Sequence, residues 1–263
     1  MSRPACLALG LALAAMGCMS SSYNLATGHE DFSMTSTTRE VDLGRRLARQ
    51  VETQLTLAAD EALQARVRSI GQRIVAVCDR QELVYSFAVI DEDEDVNAFS
   101  LPGGYVYVYS GLIKRVADDD ELAAVIAHEV AHIVARHAVN RAEARLGAQL
   151  AQLAALATRQ GAAAQGVGVA LQSARLAYAR QDELEADRLA VRYLKAAGFN
   201  PAKILTFLAT LQRLPDHKDP YMPRGVVRPQ YASTHPYVPE RLRAVKEALY
   251  DVADYLDYIN TAQ

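Results

Sequence analysis

The stretch His128-Glu129-Val130-Ala131-His132 decides how this chain is read. It sits in a run with helical spacing, from Asp119 through Leu122, Val125, Ile126, Val130 and Ile133 to beyond His137. On a helix, residues four apart project from one face, offset by about 40°. His128 and His132 can therefore turn both imidazoles toward one metal ion, at the ~2.0–2.1 Å that zinc takes to a histidine nitrogen. Glu129, beside them, can face a water polarised at that metal and act as its general base. The flanking residues are small or apolar, and burying two histidines and a glutamate among them without a purpose would be costly. The alternative is a pair of hydrogen-bonded core histidines.

Catalytic zinc takes three protein ligands and leaves one position open, so a third donor has to be found. His137 lies five residues beyond His132. A continuous helix would put it about 140° round from His132, facing away as a surface or packing residue. A metzincin would need a glycine turn and a later histidine, where Ala135 and Ala138 stand. Glu183, in Arg180-Gln181-Asp182-Glu183-Leu184-Glu185-Ala186-Asp187, is the better candidate. Glu183 and Asp187 share one helical face. Glu183 can complete a His-His-Glu set while Asp187 accepts the second ring proton of a ligand histidine. Glu185 is expected to project elsewhere, into solvent. The plainer reading is an acidic amphipathic helix.

Working outward, apolar residues from Arg39 to about Arg80 recur at helical spacing, with Asp60 as a cap for the second helix. Leu83 to Ile90 reads as a strand, and so does Tyr105-Val106-Tyr107-Val108-Tyr109 after the break at Pro102-Gly103-Gly104. Ala142 to Ala179, rich in Ala and Gln, reads as a helical hairpin weakened by its glycines, each costing about 1 kcal/mol relative to Ala. Helices are predicted at Glu183–Ala197, Pro201–Leu214 and Pro239–Tyr258, with a Pro-rich loop from Pro215 to Pro236 between the last two. The expected class is α+β and mostly helical. No internal repeat marks a solenoid.

With 263 residues, about half of them apolar, the chain can bury a sizeable core, and one domain is the simplest partition. A net charge of −3 supplies no basic field for nucleic acid, which is excluded as a partner. Arg3, then an apolar run from Ala5 to Gly17, describes an exported signal peptide over residues 1–17. Gly17-Cys18 resembles the processing site of bacterial lipoproteins, although Ala15 stands where a leucine is usual. Cys18 is then the lipidation site, and residues 18–38 form a polar tether. A Cys18–Cys78 disulfide is the rival if the signal is cut elsewhere. Residues 39–263 would form the folded domain.

Three separated blocks carry a resemblance: Asn97 to Gly104, Glu121 to His137 and Glu183 to Asp187. A fourth is Ser233-Thr234-His235-Pro236 with Arg241 downstream. In order and spacing the chain resembles the gluzincin zinc metallopeptidases that include the CAAX prenyl proteases, HtpX and bacterial envelope members such as LoiP and BepA. It lacks the membrane spans of the first two and the helical repeats of the last, so the compact lipoprotein members are the nearer likeness. The resemblance implies one Zn²⁺ per chain on His128, His132 and Glu183, with Glu129 as catalytic base. It implies a small sheet whose edge strand borders the active-site cleft. Tyr105, Val106 and Tyr107 would line that edge and bind an extended peptide by strand addition, with Arg241 as a further substrate contact. His235 is left open between an oxyanion stabiliser, a latch that fills the zinc's open position, and a histidine at the start of a helix.

The resulting expectation is an endopeptidase acting on extended or misfolded envelope proteins at the periplasmic face of a bacterial outer membrane, held by an N-terminal lipid. The alternative is a zinc-stabilised, chaperone-like binding protein that does not cut. A cytoplasmic peptidase with a misread start is the third reading. The sequence leaves the oligomeric state open. Expression in a Gram-negative host should yield a chain whose N-terminus is blocked and which partitions into detergent. Cys18→Ser should move it to the aqueous phase, and an unblocked mature N-terminus in the wild type would exclude the lipid anchor.

Overall fold

Every residue from Glu121 to Val134 is buried, so the helix that carries the motif has no solvent face. Such a helix can only be the centre of a core, and the other elements gather round it. The computed structural model describes residues 20–24, 29–146, 180–213, 235 and 239–250. The signal segment, Cys18, most of the Ala- and Gln-rich stretch after Leu146, the Pro-rich loop apart from His235, and the end of the last predicted helix lie outside them.

In chain order, β1 (Ser20–Asn24) and β2 (His29–Ser33) pair antiparallel. The segment read as a bare tether thus contains a hairpin, a pairing its polar composition does not announce. Helix α1 (Thr37–Gln54) is capped by Ser36 and α2 (Glu61–Val75) by the predicted Asp60, whose side chain accepts from Leu63 N. β3 (Ser86–Ile90), β4 (Ala98–Leu101) and β5 (Tyr105–Tyr109) follow. After the short α3 (Ser110–Ile113) comes the motif helix α4 (Asp119–Val134), then α5 (His137–Leu146). The helix α6 spans 180–197, α7 spans Lys203–Arg213 and α8 spans Pro239–Leu249. No single helix among the described residues is long and apolar enough to cross a membrane.

The start of α4 is fixed by a reciprocal pair of contacts. Asp118 accepts from Glu121 N at 2.9 Å, and Glu121 reaches back to accept from Ala117 N at 2.7 Å. This satisfies donors that the helix itself cannot. The helix then packs against α2, α7 and the sheet.

The sheet has the order β3-β5-β4, with β3 parallel and β4 antiparallel to β5. The aromatic strand Tyr105–Tyr109 is therefore central, which corrects the expectation that it forms an edge. Its backbone groups are taken on both sides, so Tyr105, Val106 and Tyr107 cannot receive a peptide by strand addition. Val106 and Tyr107 are moreover buried in the core. The far side of β3 is covered as well: Ala58 N donates to Val89 O at 2.9 Å, and the Gln64 amide bonds Val89 in both directions. Among the described residues, the side of β4 away from β5 pairs with no strand.

β4 was not predicted as a strand, because four residues before a Pro-Gly-Gly turn show too little alternation. The turn itself needs its glycines: Gly103 and Gly104 have φ of 78° and 108°, which returns the chain from Leu101 to its partner Tyr105.

Glu40 on α1 holds this turn to the end of the motif helix. Its carboxylate, 1% exposed, accepts from Arg80 Nη1 and Nη2 at 2.9 and 3.2 Å, from Arg136 Nε at 3.1 Å and from Gly103 N at 3.4 Å. One negative charge thus serves two guanidiniums that are nearly buried. Glu40→Gln should destabilise the fold by about 3 kcal/mol or more, since it takes the carboxylate from nearly buried Arg136 and leaves Arg80 only the half-exposed Glu82. Urea denaturation of wild type and variant measures this, and a loss below about 1 kcal/mol would show the cluster to be solvated.

Candidate metal centre

His128 and His132 sit one turn apart on α4, as the spacing requires, and α6 crosses them with Glu183 and Asp187 on its facing side. His235 comes from the segment before α8. One donor atom from each of His128, His132, Glu183 and His235 lies within 4.8 Å of the others, and all four residues are buried. His128 Nε2 lies 3.1 Å from His132 Nε2, 3.2 Å from Glu183 Oε2 and 3.3 Å from His235 Nδ1. His132 Nε2 is 3.4 Å from Glu183 Oε1, and His235 Nδ1 is 3.1 Å from both Glu183 oxygens. Bonds of ~2.0–2.1 Å in a tetrahedron place donors roughly 3.3 Å apart, so these separations fit one zinc ion.

The proton arrangement agrees with that fit. His128 Nδ1 lies 3.0 Å from Asp187 Oδ1. An ionised carboxylate only accepts, so this nitrogen carries the proton and Nε2 presents its lone pair to the other donors. Lone pairs and a carboxylate converging in a buried cluster call for a cation. Burial works against a charged His128, but its hydrogen bonds to Asp187 and Glu183 outweigh burial and raise it to about 9. Burial pushes His132 well below its usual value. A bound metal would displace the His128 proton, since a ligand histidine must be neutral at the coordinating nitrogen.

Asp187 is held in turn. Burial pushes its carboxyl upward, yet the charge and hydrogen bonds of Arg241 keep it below the usual carboxylate range. Arg241 Nε and Nη2 donate to its two oxygens at 2.7 and 2.8 Å. Arg241 Nη1 also reaches Glu183 Oε2 at 3.1 Å and the backbone O of His235 at 3.3 Å. Arg241 is 1% exposed. The expectation that it contacts substrate is therefore corrected: its fork faces inward, onto the carboxylates behind the histidines, and no surface of it remains for a peptide.

Glu129 is buried beside the cluster, with Oε2 accepting from Ser100 Oγ at 3.0 Å and Oε1 lying 3.4 Å from His235 Nε2. Ser100 belongs to β4, so the strand whose outer side has no strand partner among the described residues runs past the motif. Phe99, Ser100, Leu101, Glu129, His132 and His235 share the lining of one cleft of about 200 Å³.

Two further residues depart from expectation. His137 does not face away: it is 2% exposed, and its Nδ1 is 2.7 Å from His132 Nδ1. Glu185 does not project freely into solvent: its side chain is only 30% exposed, and its Oε2 lies 3.1 Å from His137 Nε2. The role of Ser100 was also missed, although it lay within the quoted block Asn97 to Gly104. Only the short run before the turn could have pointed to it.

A buried helix bearing His-Glu-His, crossed by a second helix bearing Glu and Asp, defines a metallopeptidase type of site. The model of peptidase family M48 matches residues 61–249, and the chain belongs to that family. It is 31% identical to the beta-barrel assembly-enhancing protease of Escherichia coli over 189 residues, covering 68% of this chain and 39% of that protein. A putative beta-barrel assembly-enhancing protease of Vibrio cholerae is 30% identical over 235 residues, covering 84% and 47%. The mitochondrial metalloendopeptidase OMA1 of Schizosaccharomyces pombe is 31% identical over 183 residues, covering 70% and 52%. The matched part thus spans about half or less of each relative. Zinc is the metal of this family, and the His-His-Glu-His cluster suits it.

Arg241→Met should lower zinc affinity by about 10–100-fold, because an Asp187 without its counter-charge holds His128 less firmly. Competition against a chromogenic chelator measures this, and an unchanged constant would show that Asp187 needs no such support.

Proposed function

We propose that the chain is a zinc-dependent endopeptidase in which His128, His132 and Glu183 hold the ion and Glu129 is the general base. The observation that carries this reading is the convergence of buried donors at tetrahedral separations with a carboxylate beside them. A binding module would have no need of Glu129 there.

Zinc, when bound, supplies a Lewis acid that acidifies water and polarises the scissile carbonyl. The chain's own residues do the rest. Asp187 fixes the tautomer of His128, and Arg241 keeps Asp187 charged. Ser100 holds one oxygen of Glu129, so that the other can take a proton from the attacking water and pass it to the leaving nitrogen. The open side of β4 offers backbone donors and acceptors to an extended peptide, in place of the β5 residues first assigned to that task. Backbone pairing tolerates many sequences. That favours unfolded or misfolded polypeptides as substrates, and a lipid at Cys18 would set them among proteins of the bacterial envelope.

His235 acts as a latch in this reading. Its Nδ1 stands among the other donors, at the corner that a reacting water or carbonyl would need. Cleavage then requires the residue to withdraw, so a latent resting enzyme is the expected consequence.

Cleavage of casein by the zinc-loaded protein tests the proposal. Glu129→Gln should keep one zinc per chain and lose about 10²–10⁴-fold in rate. His235→Ala should keep zinc and cut faster than wild type. A slower His235→Ala enzyme would favour the oxyanion role, and zinc-loaded proteins that never cut, His235→Ala included, would favour the chaperone-like alternative.

A further inference from the structure

We infer that His137 is a positioning residue for the metal centre, acting through His132 as part of a chain that ends on Glu185. The inference rests on the proposed ligand role of His132 and adds what holds that ligand in its working form.

The helix break that makes this possible lies at Arg136, the only non-glycine with positive φ among the described residues, at 57°. A side chain in the left-handed region costs roughly 1–2 kcal/mol, so something must hold it there. Arg136 Nε donates to Glu40 at 3.1 Å, and its Nη2 donates to Thr35 O. Helix α5 consequently leaves α4 at 44°. His137 is carried back toward the site, where a continuous helix would have turned it away.

The hydrogen bonds then allow one proton arrangement for a neutral chain. Glu185 only accepts, so His137 Nε2, 3.1 Å away, donates to it. A neutral imidazole protonated at Nε2 has its lone pair on Nδ1. That atom faces His132 Nδ1 at 2.7 Å, so the proton between them belongs to His132. His132 is left with its lone pair on Nε2, the atom 3.1 Å from His128 Nε2 and 3.4 Å from Glu183 Oε1. This is the tautomer a ligand needs. The two ligand histidines are thus oriented differently: His128 by a carboxylate directly, His132 by a carboxylate relayed through a second imidazole. Both relays start from α6, through Asp187 and Glu185.

Zinc dissociation constants of the full chain, measured by chelator competition, test the inference. His137→Leu removes the acceptor and should weaken zinc binding by about 10–100-fold. His137→Asn keeps an acceptor where Nδ1 stood and should bind zinc nearly as the wild type does. A role in packing alone predicts no such rescue. Should the leucine variant not fold, His137→Gln replaces it, since its longer amide reaches toward Glu185 rather than His132. Leucine (or glutamine) binding zinc as tightly as the wild type, or asparagine losing as much as they do, would overturn the inference while leaving the ligand set standing. A wild type that takes up no zinc would instead overturn the ligand set itself.

Discussion

Polar groups on a helix with no solvent face impose the constraint on which this structure depends. His128, Glu129 and His132 lie in the middle of α4, surrounded by alanine, valine and isoleucine, and none of the three is more than 4% exposed. Each must therefore be met by a partner from another element. Asp187 meets His128, Glu183 meets both histidines, Ser100 meets Glu129, and His137 meets the second nitrogen of His132. The positions of α6, β4 and the start of α5 are the geometric consequence.

Those partners are themselves charged and buried, so the requirement moves outward by one layer. Arg241 answers Asp187 with a two-point contact and fixes the start of α8 against α6. It also bonds the backbone of His235, so the residue that would close the site hangs from the residue that supports it. Glu40 plays a matching part at the other end of α4. It ties Arg136, whose backbone sets the turn into His137, to Gly103 in the turn after β4. The strand end beside Glu129 and the turn that carries His137 are thus anchored by one carboxylate on α1.

The buried cluster of candidate donors was largely legible in the sequence because its information is local. Residues four apart on a helix share a face whatever the rest of the chain does. The histidine pair and the Glu183/Asp187 pair could therefore be read from spacing alone. The same holds for the cap at Asp60 and for the aromatic strand Tyr105–Tyr109, whose boundaries coincide with the prediction. The readings that changed all depended on something nonlocal. Strand character does not say which strand is central, and β5 turned out to have neighbours on both sides. Helical periodicity assumes a helix that continues, and a single residue at positive φ changed where His137 points. A lone arginine downstream of a histidine gives no sign of whether its fork faces a cleft or a buried aspartate.

By itself, then, the sequence determined the longer helices, two of the strands and which side chains share a face on each, since both follow from backbone periodicity over a few residues. It also carried the blocks by which the chain belongs to peptidase family M48. The tertiary structure alone decided the sheet order, the place of β4 beside Glu129 at the edge of the sheet among the described residues, and the inward turn of Arg241. It decided too that His137 reaches His132 and that Glu185 reaches His137. These outcomes rest on packing between residues far apart in the chain, where buried charges must find partners, and no local pattern encodes which partner each will find.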